Sequence, residues 1–110
     1  MKPLLLAAAT GFATLSASHP ALAVCYHLYR PVCAFTTGEK AVTVPNACEA
    51  RENGDRILHG GRCAATGNHC PQLRIPVCAV DSETGRQRTF KNLCFSELAG
   101  ATLSHSGPCN

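Results

Sequence analysis

Apolar positions are unevenly spread along this chain. Leu4 to Leu15 forms a short apolar run behind Lys2, followed by the small-x-small triplet Ala21-Leu22-Ala23. That is the pattern of a secretory signal cleaved after Ala23, and the run is too short to span a bilayer. Leu22-Ala23-Val24-Cys25 loosely resembles a lipidation box, but Val24 stands where a small residue is wanted. Lipidation of Cys25 would also leave an odd number of cysteines. Further on, short apolar stretches alternate with turn residues. The stretch after Cys33 runs into Thr37-Gly38-Glu39-Lys40 and then Ala41-Val42-Thr43-Val44, which predicts a β-hairpin. The pattern recurs around Asp81-Ser82-Glu83-Thr84-Gly85, returning through Arg88-Thr89-Phe90. Asn46 and Asn92 are N-caps of short helices, Asn46 with Glu49 three residues on as in a capping box. Gly54 and Gly100 end those helices. A final strand, near Ile57-Leu58-His59 or Thr102-Leu103-Ser104, leads to the last cysteine of each stretch.

The cysteines turn this likeness into a duplication. They fall at 25, 33, 48 and 63 and again at 70, 78, 94 and 109, offset by 45, 45, 46 and 46 residues. Arg30-Pro31-Val32-Cys33-Ala34 matches Ile75-Pro76-Val77-Cys78-Ala79, and Asn46-Ala47-Cys48 matches Asn92-Leu93-Cys94. Leu58-His59-Gly60-Gly61-Arg62-Cys63 parallels Leu103-Ser104-His105-Ser106-Gly107-Pro108-Cys109. The expected organisation is a signal at 1–23, a first copy at 24–63, a linker at 64–69 and a second copy at 70–110. The linker is short and made of small and polar residues, so two beads with limited mutual contact are expected. The fold class is small, disulfide-rich α+β: each repeat a short β-hairpin or three-stranded sheet plus one short helix.

Composition narrows the function. All eight cysteines follow the predicted signal, a density typical of exported scaffolds, secreted or periplasmic. Each copy is about 40 residues, near the size at which a core alone seldom suffices. Two disulfides per copy would each add about 3–4 kcal/mol through loop-closure entropy. Four cysteines permit three pairings, and spacing leaves first-to-third and first-to-fourth open. Without Lys2, nine basic residues face seven acidic ones. The densest basic patch is Arg86, Arg88 and Lys91, too weak for a nucleic-acid footprint. His59 and Cys63, His105 and Cys109, Cys25 and His27, and His69 and Cys70 are spaced like metal ligands. No Cys-x2-Cys knuckle accompanies them, and disulfides explain the cysteines better, so no metal and no cofactor are expected. No paired carboxylates, phosphate loop or serine–histidine set stands out, which argues against an enzyme.

Taken together, these residues resemble Kazal-type serine protease inhibitor domains. The second copy supplies Cys70, Pro76-Val77-Cys78, Thr89-Phe90-Lys91-Asn92-Leu93-Cys94 and Gly107-Pro108-Cys109. The first supplies Cys25, Pro31-Val32-Cys33, Thr43-Val44-Pro45-Asn46-Ala47-Cys48 and Gly61-Arg62-Cys63. The resemblance implies the bonds Cys25–Cys48, Cys33–Cys63, Cys70–Cys94 and Cys78–Cys109. Family members usually carry one disulfide more per domain. It would tie the segment before the inhibitory loop to the helix, where this chain has Arg51 and Glu97. The hairpins are also longer than usual, and the stretch from helix to last cysteine is shorter.

What the resemblance implies about function is inhibition by a substrate-like loop. The residue before the scissile bond fills the protease pocket, and a braced loop loses little entropy on binding. Mapped onto this chain, the reactive bonds are His27–Leu28 and Gln72–Leu73, flanked by Tyr26 and Tyr29 and by Pro71 and Arg74. Asn46 and Asn92 match the asparagine that supports the loop. His27 and Gln72 are neither cations nor large apolar rings, so a subtilisin-like protease with a broad groove is the favoured partner. A monomer is expected, with no membrane span. The competing reading, from a different class, is a Kazal-like extracellular binding, adhesion or spacer module without inhibitory activity.

Overall fold

The computed structural model describes residues 25, 26 and 28–110; the predicted signal, Val24 and His27 lie outside the described residues. Its elements, in order, are β1 (Val32–Phe35), β2 (Ala41–Val44), α1 (Ala47–Glu52) and β3 (Arg56–Gly60), then β4 (Val77–Val80), β5 (Gln87–Phe90), α2 (Leu93–Leu98) and β6 (Thr102–Ser106). They form two three-stranded antiparallel sheets, ordered β2-β1-β3 and β5-β4-β6. We refer to residues up to Cys63 as the first unit and those from Cys70 as the second.

Each central strand, Val-Cys-Ala followed by Phe35 or Val80, is buried because it has a neighbour on both edges and a helix against one face. The hairpins close where the turn residues predicted, by Thr36 N–Lys40 O and Asp81 N–Arg86 O bonds of 2.9 Å. Both central strands slip register at the same point, between Cys33 and Ala34 and between Cys78 and Ala79. The pairing places Ala34 opposite Ile57 and Ala79 opposite Leu103. Leu103 therefore corresponds to Ile57, and the parallel drawn above between Leu58 and Leu103 is off by one position.

Six-residue helices do not persist alone, so their ends must be satisfied. Asn46 Oδ1 accepts from Glu49 N at 2.8 Å, and Asn92 Oδ1 accepts from Phe95 N at 3.3 Å. At the other end Gly54 and Gly100 adopt φ of 77° and 69°. There Gly54 N donates to Arg51 O and Asp55 N to Ala50 O, with the same pair of bonds at Gly100 and Ala101. These are left-handed helix stops of the Schellman kind.

The cores are small: Val32, Ala34, Val44 and Ala50 in the first unit, and Val77, Ala79, Phe90 and Ala101 in the second. Crosslinks supplement them. Cys25–Cys48 and Cys70–Cys94 join each helix to the loop ahead of its sheet, while Cys33–Cys63 and Cys78–Cys109 join each central strand to the end of its unit. These are the four pairs that the resemblance implied, and no described cysteine is free. Among the described residues no helix is long and apolar enough to cross a membrane.

The units are not independent beads. β3 packs against β6, and Arg56 Nη2 donates to Gly100 O across the boundary. A Cβ on Gly100 would lie 3.0 Å from Phe35 Cε1. Leu58 is 1% exposed although it lies outside its unit's core cluster, whereas its register counterpart Ser104 is exposed.

Candidate functional site

The described residues that follow Cys25 and Cys70 have no regular structure, so something other than a sheet ladder must hold them. In both units it is the helix-capping asparagine. Asn92 Nδ2 donates to Pro71 O at 2.9 Å and to Leu73 O at 2.8 Å. Asn46 Nδ2 donates to Leu28 O at 3.0 Å and to Tyr26 O at 3.4 Å. One buried amide thus spends its oxygen on the helix N-terminus and its nitrogen on two loop carbonyls. Those carbonyls flank Gln72 in one unit and position 27 in the other. Beyond the loop, Arg30 N donates to Pro45 O at 2.9 Å and Ile75 N to Lys91 O at 3.1 Å. Each loop is therefore fixed by a disulfide at its start, an asparagine at its middle and a backbone bond at its exit.

The side chains so held face outward. Tyr26 is 78% exposed, Tyr29 66%, Leu28 62% and Leu73 61%, and Pro71, Gln72 and Arg74 are exposed as well. His27, the predicted pocket residue of the first loop, lies outside the described residues. Behind each loop is a shallow, largely apolar hollow, lined by Pro71, Leu73, Ile75 and Leu93 in one unit and by Tyr26, Leu28, Val32 and Ala47 in the other. Lys91, read above only as part of a basic patch, donates from Nζ to Gln72 Oε1 at 2.7 Å on the open surface. The pattern Thr-Phe-Lys-Asn placed Lys91 beside Asn92, which was the available signal for that contact.

A second cluster lies at the boundary between units and was not anticipated. Glu97 on α2 is fully buried, and its Oε1 is 2.5 Å from Nε2 of His59, whose side chain is 5% exposed. The same carboxylate accepts from Ala64 N at 2.9 Å through Oε1 and from Ala65 N at 2.7 Å through Oε2. His59 Nδ1 faces Gly60 O at 2.6 Å. The hydrogen bond to Glu97 raises the His59 pKa above its ordinary value, against the effect of burial; Gly60 O and the charge of Glu97 add to the rise. Cys33, His59 and Glu97 come close enough to suggest metal ligands, as do Cys25, Cys48 and Glu52. The cysteines in both groups are disulfide-bonded and offer no thiolate. Arg51, the register counterpart of Glu97 on α1, is exposed.

Chemically, the loops can present a fixed main chain and one projecting side chain to a cleft. No family model, no curated protein and no solved structure matches this chain.

Proposed function

We propose that this protein is a two-headed inhibitor of serine proteases, exported to an oxidising compartment and built from two tandem Kazal-like copies. The observation that carries the reading is the asparagine bridge. In each unit one amide nitrogen holds the carbonyls on both sides of the residue that would enter a protease pocket. A loop held this way keeps an outward residue fixed, so little conformational freedom is lost when a groove closes on it. The disulfide directly ahead of each loop supports the same end, and would keep the severed ends together if the bond were cut. The exposed Tyr26, Leu28, Tyr29, Leu73 and Ile75 give the loops apolar surface that a groove could cover. Four disulfides in so small a chain suit a secreted or periplasmic setting.

The test is a titration of purified serine proteases, subtilisin-like enzymes included, with the refolded protein. Stoichiometric, tight inhibition that disappears in the double variant Leu28→Pro with Leu73→Pro supports the proposal. Failure to inhibit any protease, or rapid cleavage at the loops without inhibition, overturns it in favour of a binding or spacer module.

A further inference from the structure

Among the described residues Glu97 is the sole buried carboxylate. A carboxylate taken out of water costs several kcal/mol unless its oxygens are satisfied, and here three donors surround it. Two are the consecutive amides of Ala64 and Ala65, which no helix or strand occupies. From Ala65 the chain enters a tight turn, with His69 N donating to Thr66 O, and arrives at Cys70. One short helix therefore grips the second loop at three places. Glu97 holds the chain before it, Cys94 is bonded to Cys70 at its start, and Asn92 holds its middle. On α1 the corresponding helix residue is the exposed Arg51, so the first loop has no such grip from its own helix.

The third donor belongs to the first unit. His59 has an oxygen at each ring nitrogen, Gly60 O at Nδ1 and Glu97 Oε1 at Nε2. Only the imidazolium donates from both nitrogens; a neutral ring must turn a lone pair toward one oxygen. Of the other charges on the elements packed against β3 and α2, Arg51 and Glu52 of α1 are exposed and Glu49 is half-buried, and Arg88 of β5 lies over the Phe90 ring. Arg56 of β3 donates to Gly100 O and lies over the Phe35 ring, and His105 of β6 has its Nδ1 at Ser106 O, exposed. β1 contributes no charge, and on α2 Glu97 stands alone.

We propose that Glu97 is a positioning residue for the second loop, acting through Ala64 and Ala65, and that His59 of the first unit sets how firmly it holds. The inference rests on the inhibitor reading only for its consequence in binding. The sign follows from His59, whose pKa is raised in the folded protein. Both bonds are made below the ordinary histidine value of about 6.5; as pH rises through the higher folded value the ring keeps only one of them and loses its charge beside Glu97. The second loop is thus best held under mildly acidic conditions.

The experiment uses the whole chain carrying Leu28→Pro, so that only the second loop inhibits, with Glu97→Gln and His59→Gln compared against it. Amide exchange at Ala64 and Ala65 is followed by NMR, with the His59 titration and the inhibition constant of one protease from pH 5.5 to 8. The expected result is protection that falls at least tenfold at one or both amides in Glu97→Gln, which keeps a single acceptor oxygen. Dividing each variant's constant by the parent's at the same pH removes the protease's own profile. The ratio for His59→Gln should then fall at least threefold as pH rises from 5.5 to 8, because the parent loses the His59 bond that the variant never had. Equal amide protection in parent and Glu97→Gln, or a flat His59→Gln ratio, overturns the proposal. Should Glu97→Gln not fold, His59→Gln decides alone, through protection of the same two amides at pH 5.5. If the amides respond as expected but no protease is inhibited, the grip stands and the inhibitor reading fails.

Discussion

Asn92 and Asn46 each do two jobs with one side chain, and the jobs are chemically separable. Aspartate caps helices as well as asparagine does, so Asn92→Asp keeps the acceptor used by Phe95 N. It removes the donor, however, and sets a carboxylate oxygen against Pro71 O and Leu73 O. Each lost bond is worth about 0.5–1.5 kcal/mol net, and the repulsion adds to that. We expect Asn92→Asp to weaken inhibition by the second loop at least tenfold while the Phe95 amide stays protected from exchange, since the cap is kept. Unchanged inhibition would mean that the residue acts only as a cap. The capping role was legible from a lone asparagine ahead of an apolar stretch, and the loop role only through the family likeness. The link between His59 and Glu97 was not legible at all. They stand 38 residues apart, in units expected to touch little, and a glutamate late in a short helix ordinarily faces water.

Between elements, glycine reports where the units meet. Gly54 and Gly100 end α1 and α2 with the same left-handed turn, and alanine there costs about 1–2 kcal/mol in backbone strain alone. At Gly54 nothing lies within 4 Å of a new Cβ, whereas at Gly100 the added atom meets Phe35 and the Arg56 guanidinium at 3.0–3.1 Å. Gly100→Ala should therefore lower the melting temperature clearly more than Gly54→Ala. A difference of about 1 kcal/mol corresponds to about 4–8 °C in a domain this small. Equal shifts in thermal melts would show that the second unit does not rest on Phe35. The helix stops themselves were readable from sequence, as were the hairpins, because turn residues and capping residues act locally. The bulge that shifts β3 and β6 by one residue was not, since it is set by pairing across the sheet. That shift leaves Leu58 with no partner across from β1 and sets Leu103 opposite Ala79, where it packs on its own core.

For the whole molecule, the four crosslinks and the two small cores carry stability, and the boundary cluster decides how the two loops differ. Cores of four buried residues each leave little margin once the disulfides are opened. Reduction should abolish the folded state, measured as loss of amide dispersion in NMR spectra on adding a thiol reductant. Persistence of native-like spectra with free thiols would show the cores to be sufficient. The loops themselves share the disulfide, the asparagine bridge and the exit bond. Only the second has its approaching chain gripped by a buried carboxylate, and only it is preceded by Gly67-Asn68-His69 in the described structure. Pro71 further fixes its own φ and restricts Cys70 before it, so less freedom remains to be lost on binding. Against this, Gln72 must leave Lys91 Nζ to enter a pocket, but that bond is exposed and worth only about 0.5–1.5 kcal/mol net. The second loop should therefore be the stronger inhibitor. Proline at the residue after each proposed reactive bond should spoil one loop at a time, so Leu73→Pro should remove most of the inhibition and Leu28→Pro little. If titration of the two variants against one protease gives the opposite order, bracing of the incoming chain does not govern affinity here, and the identity of the pocket residue does.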